Sequence, residues 1–270
     1  MKKLCLLLGI ITIQGYAITI NTVTDGSVIC AKDLTNQGLE VGVKWYRTAA
    51  EKNALYNQAY NDGTRYVKNW VSNNHPAKNS WGVILDIDET TLDNSWYFAL
   101  CQTTLNNNGS DFDHYISNQK KSTALPGVVK FTHLVHDLGG YVTMLSNRDG
   151  AFQDSSGITL NSTISNLKSE NVYFDNVVLA NYKYAKDPLD KNPRFSAVVS
   201  GKYDLKEMVI SNKLPAHKVI AYFGDNIQDF PGLKQSKIAK LDKNSSIYDK
   251  FGNGYFILPN PMYGSWDTNH

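Results

Sequence analysis

The sequence predicts an α/β fold: a mostly parallel sheet with helices on both faces, preceded by a helical N-terminal region and carrying a small helical cap. Three observations predict it. Short apolar runs alternate along the chain with stretches of helical periodicity. Several of those runs end in polar residues of matching kind, and 270 residues with 42% hydrophobic content suffice for one large core.

In chain order, Met1-Lys2-Lys3 precedes an apolar stretch from Leu4 to Ile13, and Gly15-Tyr16-Ala17 supplies small residues before a cut. Residues 1–17 read as a secretory signal peptide too short for a comfortable membrane span, which implies a secreted or periplasmic protein; an uncleaved anchor is the alternative. No Cys follows near the cut, so no lipid anchor is expected. Losing Lys2 and Lys3 with this leader brings the 27 basic residues to 25, equal to the 25 acidic ones. A chain so balanced offers no basic field to a nucleic acid polymer or an acidic membrane surface. Of the three cysteines, Cys30 and Cys101 remain; they can pair in an oxidising compartment or stay as buried thiols.

Residues 18–270 read as one domain, with 18–80 as its helical N-terminal region. Leu39, Val43, Tyr46 and Ala50, then Tyr66, Val67, Trp70 and Val71, recur at helical steps around an expected break at Asn61-Asp62-Gly63. Asn73-Asn74-His75-Pro76 is a loop, and the first strong strand carries Val83-Ile84-Leu85. Residues 95–125 form a polar, cap-like insert with a turn at Asn106-Asn107-Asn108-Gly109-Ser110. Pro126-Gly127 opens a helix with Val128, Phe131, Leu134, Val135 and Leu138 on its apolar face, closed by Gly139-Gly140. His133 and His136 on that helix lack a third ligand and read as surface. Then follow a strand at Tyr141 to Leu145, a helix near Ile158 to Leu167, and a strand at Val177 to Leu179. A helix near Tyr203 to Ser211, a strand at Val219 to Phe223 and a closing strand at Tyr255 to Leu258 complete the alternation.

Chemistry concentrates where strands end. Val83-Ile84-Leu85 delivers Asp86 and Asp88 into a polar turn, and ligands in open α/β sheets bind just past such carboxyl ends. Two carboxylates so placed can hold a hard cation, or one can attack while the other handles a proton. Met144-Leu145 is followed by Ser146-Asn147-Arg148, a hydroxyl and main-chain donors suited to phosphoryl oxygens. Tyr222-Phe223 is followed by Gly224-Asp225-Asn226-Ile227-Gln228-Asp229-Phe230, in which Asp225 and Asp229 can reach a cation. Lys191, within Asp190-Lys191-Asn192-Pro193-Arg194, adds the positive charge that a phosphate beside an aspartate requires.

Together these four segments resemble the motifs of the haloacid dehalogenase (HAD) superfamily, and of its class C nonspecific acid phosphatases in particular. Leu92-Asp93-Asn94-Ser95, Pro126-Gly127, Leu258-Pro259-Asn260 and Tyr263-Gly264-Ser265-Trp266 extend the likeness, which runs from about Trp81 to Trp266. The resemblance implies a HAD-like Rossmannoid sheet and a magnesium-dependent phosphomonoesterase. Asp86 would be the nucleophile and Asp88 the general acid and base. Ser146, Asn147 and Lys191 would bind the phosphoryl group. Mg2+ would sit on Asp86, the main-chain carbonyl of Asp88, and Asp225, with Asp229 assisting through water. Phe112, Tyr115 and Tyr263 would contact the substrate's leaving group by stacking. The implied partner is a small phosphomonoester, such as a nucleoside monophosphate, with no nucleic acid polymer; a homodimer is compatible with the sequence. Ser146 stands where relatives more often have Thr, and Ile116 where they have Trp. The alternatives are a noncatalytic ligand-binding surface or storage protein on the same fold, disfavoured because Asp86 is retained, and a dehalogenase-type enzyme, which would not need Asp88.

Overall fold

A computed structural model of the chain describes residues 20–22, 28–31, 39–103, 112–113, 115–116, 122–155 and 157–268. The leader-like segment 1–17 and the turn at 106–110 lie outside the described residues. Two short strands, β1 (Ile20–Thr22) and β2 (Val28–Ala31), precede helices α1 (Val41–Thr48) and α2 (Ala50–Asn74). After β3 (Trp81–Leu85) come β4 (Leu92–Asp93), α3 (Ser95–Leu100), β5 (Cys101–Thr103) and β6 (Thr123–Ala124). Next are α4 (Val128–Asp137), β7 (Tyr141–Asp149), α5 (Phe152–Ser155), α6 (Ile158–Ser169) and β8 (Asn176–Ala180). The chain ends through α7 (Asn192–Ser200), β9 (Met208–Ile210), β10 (Lys218–Gly224), α8 (Gln235–Ile238) and β11 (Tyr255–Ile257).

Six strands make the main sheet in the order β11-β10-β3-β7-β8-β9, parallel at every step except β8 to β9. β3 and β8 are buried along their whole length, as strands covered on both faces must be, and their residues alternate between two cores. Val83, Leu85, Val142, Met144, Val177 and Leu179 pack with Tyr56, Tyr60, Val67, Phe131 and Val135 from α2 and α4. Ile84, Leu145 and Val178 face the other way, onto Phe195, Ala197 and Val198 of α7. Among the described residues no helix is long and apolar enough to cross a membrane.

Two expected elements differ. The helix runs unbroken through Asn61-Asp62-Gly63 from Ala50 to Asn74, and the chain breaks instead at Ala49, whose extended backbone separates α1 from α2. Burial overrides the turn signal: Gly63 lies against Phe223, and a Cβ there would stand 2.3 Å from the ring. The helix expected near Tyr203 to Ser211 is displaced. It forms at Asn192–Ser200, started by Pro193 in its first turn and stopped by left-handed Gly201, while Met208–Ile210 pairs antiparallel with β8. His133 and His136 pack around Tyr173, with the His136 ring stacked 4.0 Å from it and the His133 Nε2 3.0 Å from the Asn171 carbonyl.

Gly63→Ala improves helix propensity by about 1 kcal/mol yet is expected to destabilise by about 1–3 kcal/mol, because the new methyl must displace the Phe223 ring. The urea unfolding midpoint checks this; an unchanged or higher midpoint would show that the ring yields freely.

Candidate active site

Beyond Leu85 the backbone of Asp86 still joins the sheet, its N–H donating to the Phe223 carbonyl at 2.9 Å. A tight loop follows. The N–H groups of Thr91 and Leu92 both donate to the Ile87 carbonyl, at 2.9 and 2.8 Å, and the Thr91 hydroxyl donates to the Asp86 carbonyl at 2.7 Å. Glu89 takes a left-handed backbone, φ 53°, which a non-glycine residue holds only when its surroundings enforce it. The enforcement comes from α2, where Tyr56 and Tyr60, four residues apart on one face, donate to the carbonyls of Glu89 and Thr90. The fully buried Glu89 carboxylate accepts from the Asn94 N–H at 2.8 Å and from the Tyr263 hydroxyl.

Asp86, Asp88, Ser146, Asn147, Lys191, Asp225 and Asp229 all line one cleft of about 260 Å³ at the carboxyl ends of β3, β7 and β10. The buried Lys191 ammonium bridges two of them, donating to Asp86 and to Asp229, the latter at 2.6 Å. Asp225 accepts from the Thr90 hydroxyl at 3.1 Å and from the Asn260 amide at 2.9 Å. Asp229 returns to cap its own turn, accepting from the Asn226 N–H at 2.8 Å. Only glycine permits this fold-back, since a Cβ at Gly224 would fall 2.2 Å from that of Asp229.

Asp88 has a different set of partners. Arg148 grips it through Nε and Nη2, at 3.0 and 2.7 Å to Oδ1, and the Ser146 hydroxyl and Asn94 amide donate at 2.9 and 2.8 Å. Arg194, equally buried, donates to the Ser146 carbonyl at 2.8 Å, to the Asn147 side chain at 2.5 Å and to the Pro188 carbonyl at 3.0 Å. It thereby ties the last residues of β7 to the loop that carries Lys191. Arg148 and Arg194 were visible in the sequence beside Ser146 and Lys191, but nothing in spacing distinguishes an inward-pointing guanidinium from a solvated one.

The electrostatics divide the carboxylates. Burial, with the charges of Asp229, Asp225 and Asp88, pushes the Asp86 carboxyl up, and Lys191 opposes that. Burial and the charges of Asp229 and Glu89 likewise push Asp225 up. Burial would also raise Asp88, but Arg148 and the hydrogen bonds from Arg148, Ser146 and Asn94 outweigh it and hold Asp88 below the usual carboxylate range. For Lys191 burial works downward, and the carboxylates of Asp229 and Asp86 overcome it. Asp86, Asp225 and Asp229 each offer a carboxylate oxygen, all within 4.8 Å of one another. Three carboxylates against one ammonium leave excess negative charge in a buried, all-oxygen setting, and this donor chemistry fits a hard divalent cation. The Asp88 carboxylate is not part of that cluster.

Aromatic residues make one wall. Tyr263 and Phe112 line the cleft, and Phe98 stacks on Tyr263 with centroids 4.7 Å apart and lies 6.2 Å from Phe112. Tyr115 does not reach the cleft: at 3% exposure it is buried behind Phe112 against Tyr97, 5.1 Å away. Its place on the wall is taken by Tyr182, from the loop after β8, which the sequence did not single out.

A parallel sheet with one aspartate pair leaving its central strand and a second leaving the adjacent strand, joined through a buried lysine, is the arrangement of a HAD-type hydrolase. The family model for the HAD superfamily, subfamily IIIB (acid phosphatase), matches residues 14–266, and the chain belongs to that family. It is a phosphomonoesterase, which decides against the binding-only alternative. The class C acid phosphatase of Bacillus anthracis is similar at 27% identity with a TM-score of 0.63, over 84% of this chain and 85% of that one. A class C acid phosphatase structure from the same organism with tungstate bound is similar at 28% identity and a TM-score of 0.64, over the same shares.

Asp113 lines the cleft and accepts from the Asp149 N–H at 3.3 Å; burial, with the charges of Asp149 and Asp88, pushes its carboxyl up to about 7. Below that pH the group is neutral, and above it a negative charge develops beside a site that must admit an anionic ester. KM for an aryl phosphate is expected to climb between about pH 5 and pH 8, and Asp113→Asn to remove about fivefold of that climb. Steady-state kinetics across this range check it, and an identical climb in both proteins would rule Asp113 out.

Proposed function

We propose that the chain is a secreted, magnesium-dependent acid phosphatase that hydrolyses small phosphomonoesters, nucleoside monophosphates among them, through an aspartyl-phosphate. The observation that carries the reading is the Lys191 bridge from Asp86 to Asp229 in the cleft that also receives Asp88, Ser146 and Asp225. Asp86 attacks phosphorus, and the Lys191 ammonium beside it offsets repulsion between the carboxylate and the incoming anion. Asp88, reached by the Ser146 hydroxyl and oriented by Arg148, gives a proton to the leaving alkoxide and then takes one from the water that hydrolyses the intermediate. Ser146 and Asn147 bind phosphoryl oxygens, and the grip of Arg194 on this part of β7 fixes the donors in advance. Asp86 and Asp225, with the Asp88 carbonyl and with Asp229 through water, would hold magnesium, which supplies charge stabilisation to the phosphoryl group when bound. Phe112, Tyr182 and Tyr263 leave an aromatic wall for the ester group, and a flat base would stack there. Secretion rests on the leader-like residues 1–17.

Asp86→Asn is expected to lower phosphate release by at least about a thousandfold while the melting temperature is kept. A chelator should abolish turnover of the unaltered enzyme and magnesium restore it. Full activity in chelator would exclude the metal, and full activity in Asp86→Asn the nucleophile.

Asp88→Asn tests the acid role separately. It should cripple alkyl phosphates and nucleoside monophosphates far more than an activated aryl phosphate, whose leaving group needs no proton. Equal losses on both substrates would assign Asp88 another task.

A further inference from the structure

Of three cysteines in the chain, Cys5 lies in the leader-like stretch, and the other two are far apart in sequence. The fold brings those two together. β2 is the middle strand of a three-stranded sheet ordered β1-β2-β5, and its antiparallel register with β5 sets Cys30 opposite Cys101. Directly opposed residues of an antiparallel pair have Cα atoms about 4.5–5.5 Å apart. A disulfide spans Cα separations of about 4.4–6.8 Å, so a directly opposed pair lies within its reach.

The bond would have a definite place in the fold. β5 follows α3 without a gap, and α3 carries Phe98, which stacks on Tyr263 in the wall of the cleft. β2, by contrast, belongs to the first strands of the chain, before either long helix. The two strands that meet at this register come from opposite sides of α1, α2 and β3, so the closed loop contains the Asp86 turn.

We propose that Cys30 and Cys101 form an intramolecular disulfide that staples the N-terminal strand pair to the segment leaving the aromatic wall. The bond is made by exchange with a disulfide carrier, protein or small molecule. One cysteine thiolate attacks the carrier, releasing a carrier thiol and leaving a mixed disulfide. The second cysteine displaces the carrier's other sulfur. The two cysteines lose two electrons and two protons, and the carrier disulfide becomes a dithiol. The bond constrains the unfolded chain and leaves the catalytic residues untouched, so it acts on stability rather than on the chemical step.

The full chain, made with its own leader in an oxidising compartment or refolded with oxidised glutathione, is alkylated without reduction, digested and mass-analysed. The expected product is one crosslinked peptide pair joining Cys30 to Cys101, which separates and becomes alkylated at both positions only after reduction. Alkylation of both cysteines without reduction, or a bond from either one to Cys5 or to a second chain, would overturn the proposal. A thermal melt gives an independent readout: reductant should lower the melting temperature of the unaltered protein by about 5–10 °C and leave the Cys30→Ser, Cys101→Ser double variant unmoved. Equal melting of the unaltered protein with and without reductant would remove the staple even if the bond forms.

Discussion

Everything at the carboxyl edge of the sheet is arranged around one buried ammonium group. Lys191 donates to Asp86 from the central strand and to Asp229 from the turn after β10, and all three are almost wholly shielded from water. Removing such charges from solvent costs several kcal/mol each, repaid only where geometry is good and the remaining lone pairs have donors. Here Asp229 has the Asn226 N–H, and the Lys191 backbone is fixed at the start of α7. Taking away the lysine would leave two carboxylates and Asp225 facing one another with no cation among the described residues in contact with them. The site is therefore not a surface charge pattern but a core feature whose members depend on each other.

The scaffold supplies that precision through unequal partners on its two faces. On one, α2 reaches past the sheet edge with Tyr56 and Tyr60 and holds the Glu89 and Thr90 carbonyls, so the left-handed turn after Asp88 is braced from outside the loop. On the other, α7 delivers Lys191 at its start and Arg194 one turn later. Arg194 donates to Ser146 and Asn147 near the end of β7 and to the loop before α7, which makes those two residues and the lysine a single rigid unit. Gly224 completes the arrangement by letting the Asp229 side chain cross directly over the end of β10. Catalysis by fixed dipoles and charges needs little movement during reaction, and these contacts leave little.

Much of this was legible in the residues. Apolar runs ending in Asp86 and Gly224-Asp225 located two strand ends, because a strand buried on both faces must be apolar along its length and change character where it leaves the sheet, whereas β7 runs on past Ser146 to Asp149. Other features depend on distant partners. Asn61-Asp62-Gly63 has turn chemistry, yet stays helical because its glycine is the only side chain thin enough to lie against Phe223. Tyr115 shares a sequence neighbourhood with Phe112 and is turned into the core, and Tyr182 reaches the same wall from a loop far along the chain. Neither local propensity nor spacing reports which aromatic faces a cleft. Tyr56 and Tyr60 were not singled out in the sequence, and only the folded chain shows that their hydroxyls end on carbonyls of the Asp86 loop.

Ser146 links the two halves of the proposed chemistry. Its hydroxyl donates to Asp88 at 2.9 Å while its oxygen accepts from the Arg148 N–H at 3.1 Å, so its single proton is already committed. To donate to a phosphoryl oxygen, the hydroxyl must turn that proton away from Asp88. In the proposed mechanism this withdrawal removes one of the bonds that hold Asp88 below the usual carboxylate range, and a phosphate dianion nearby adds like-charge repulsion in the same direction. Both effects raise the proton affinity of Asp88 when substrate binds, which is the moment a general acid must carry its proton. Arg148, with Nε and Nη2 both on Oδ1, orients the carboxyl and favours the ionised form that must act as a base on water. A threonine at this position would offer the same proton with a methyl group to restrict its rotation, so serine gives the hydroxyl more freedom to exchange one acceptor for the other.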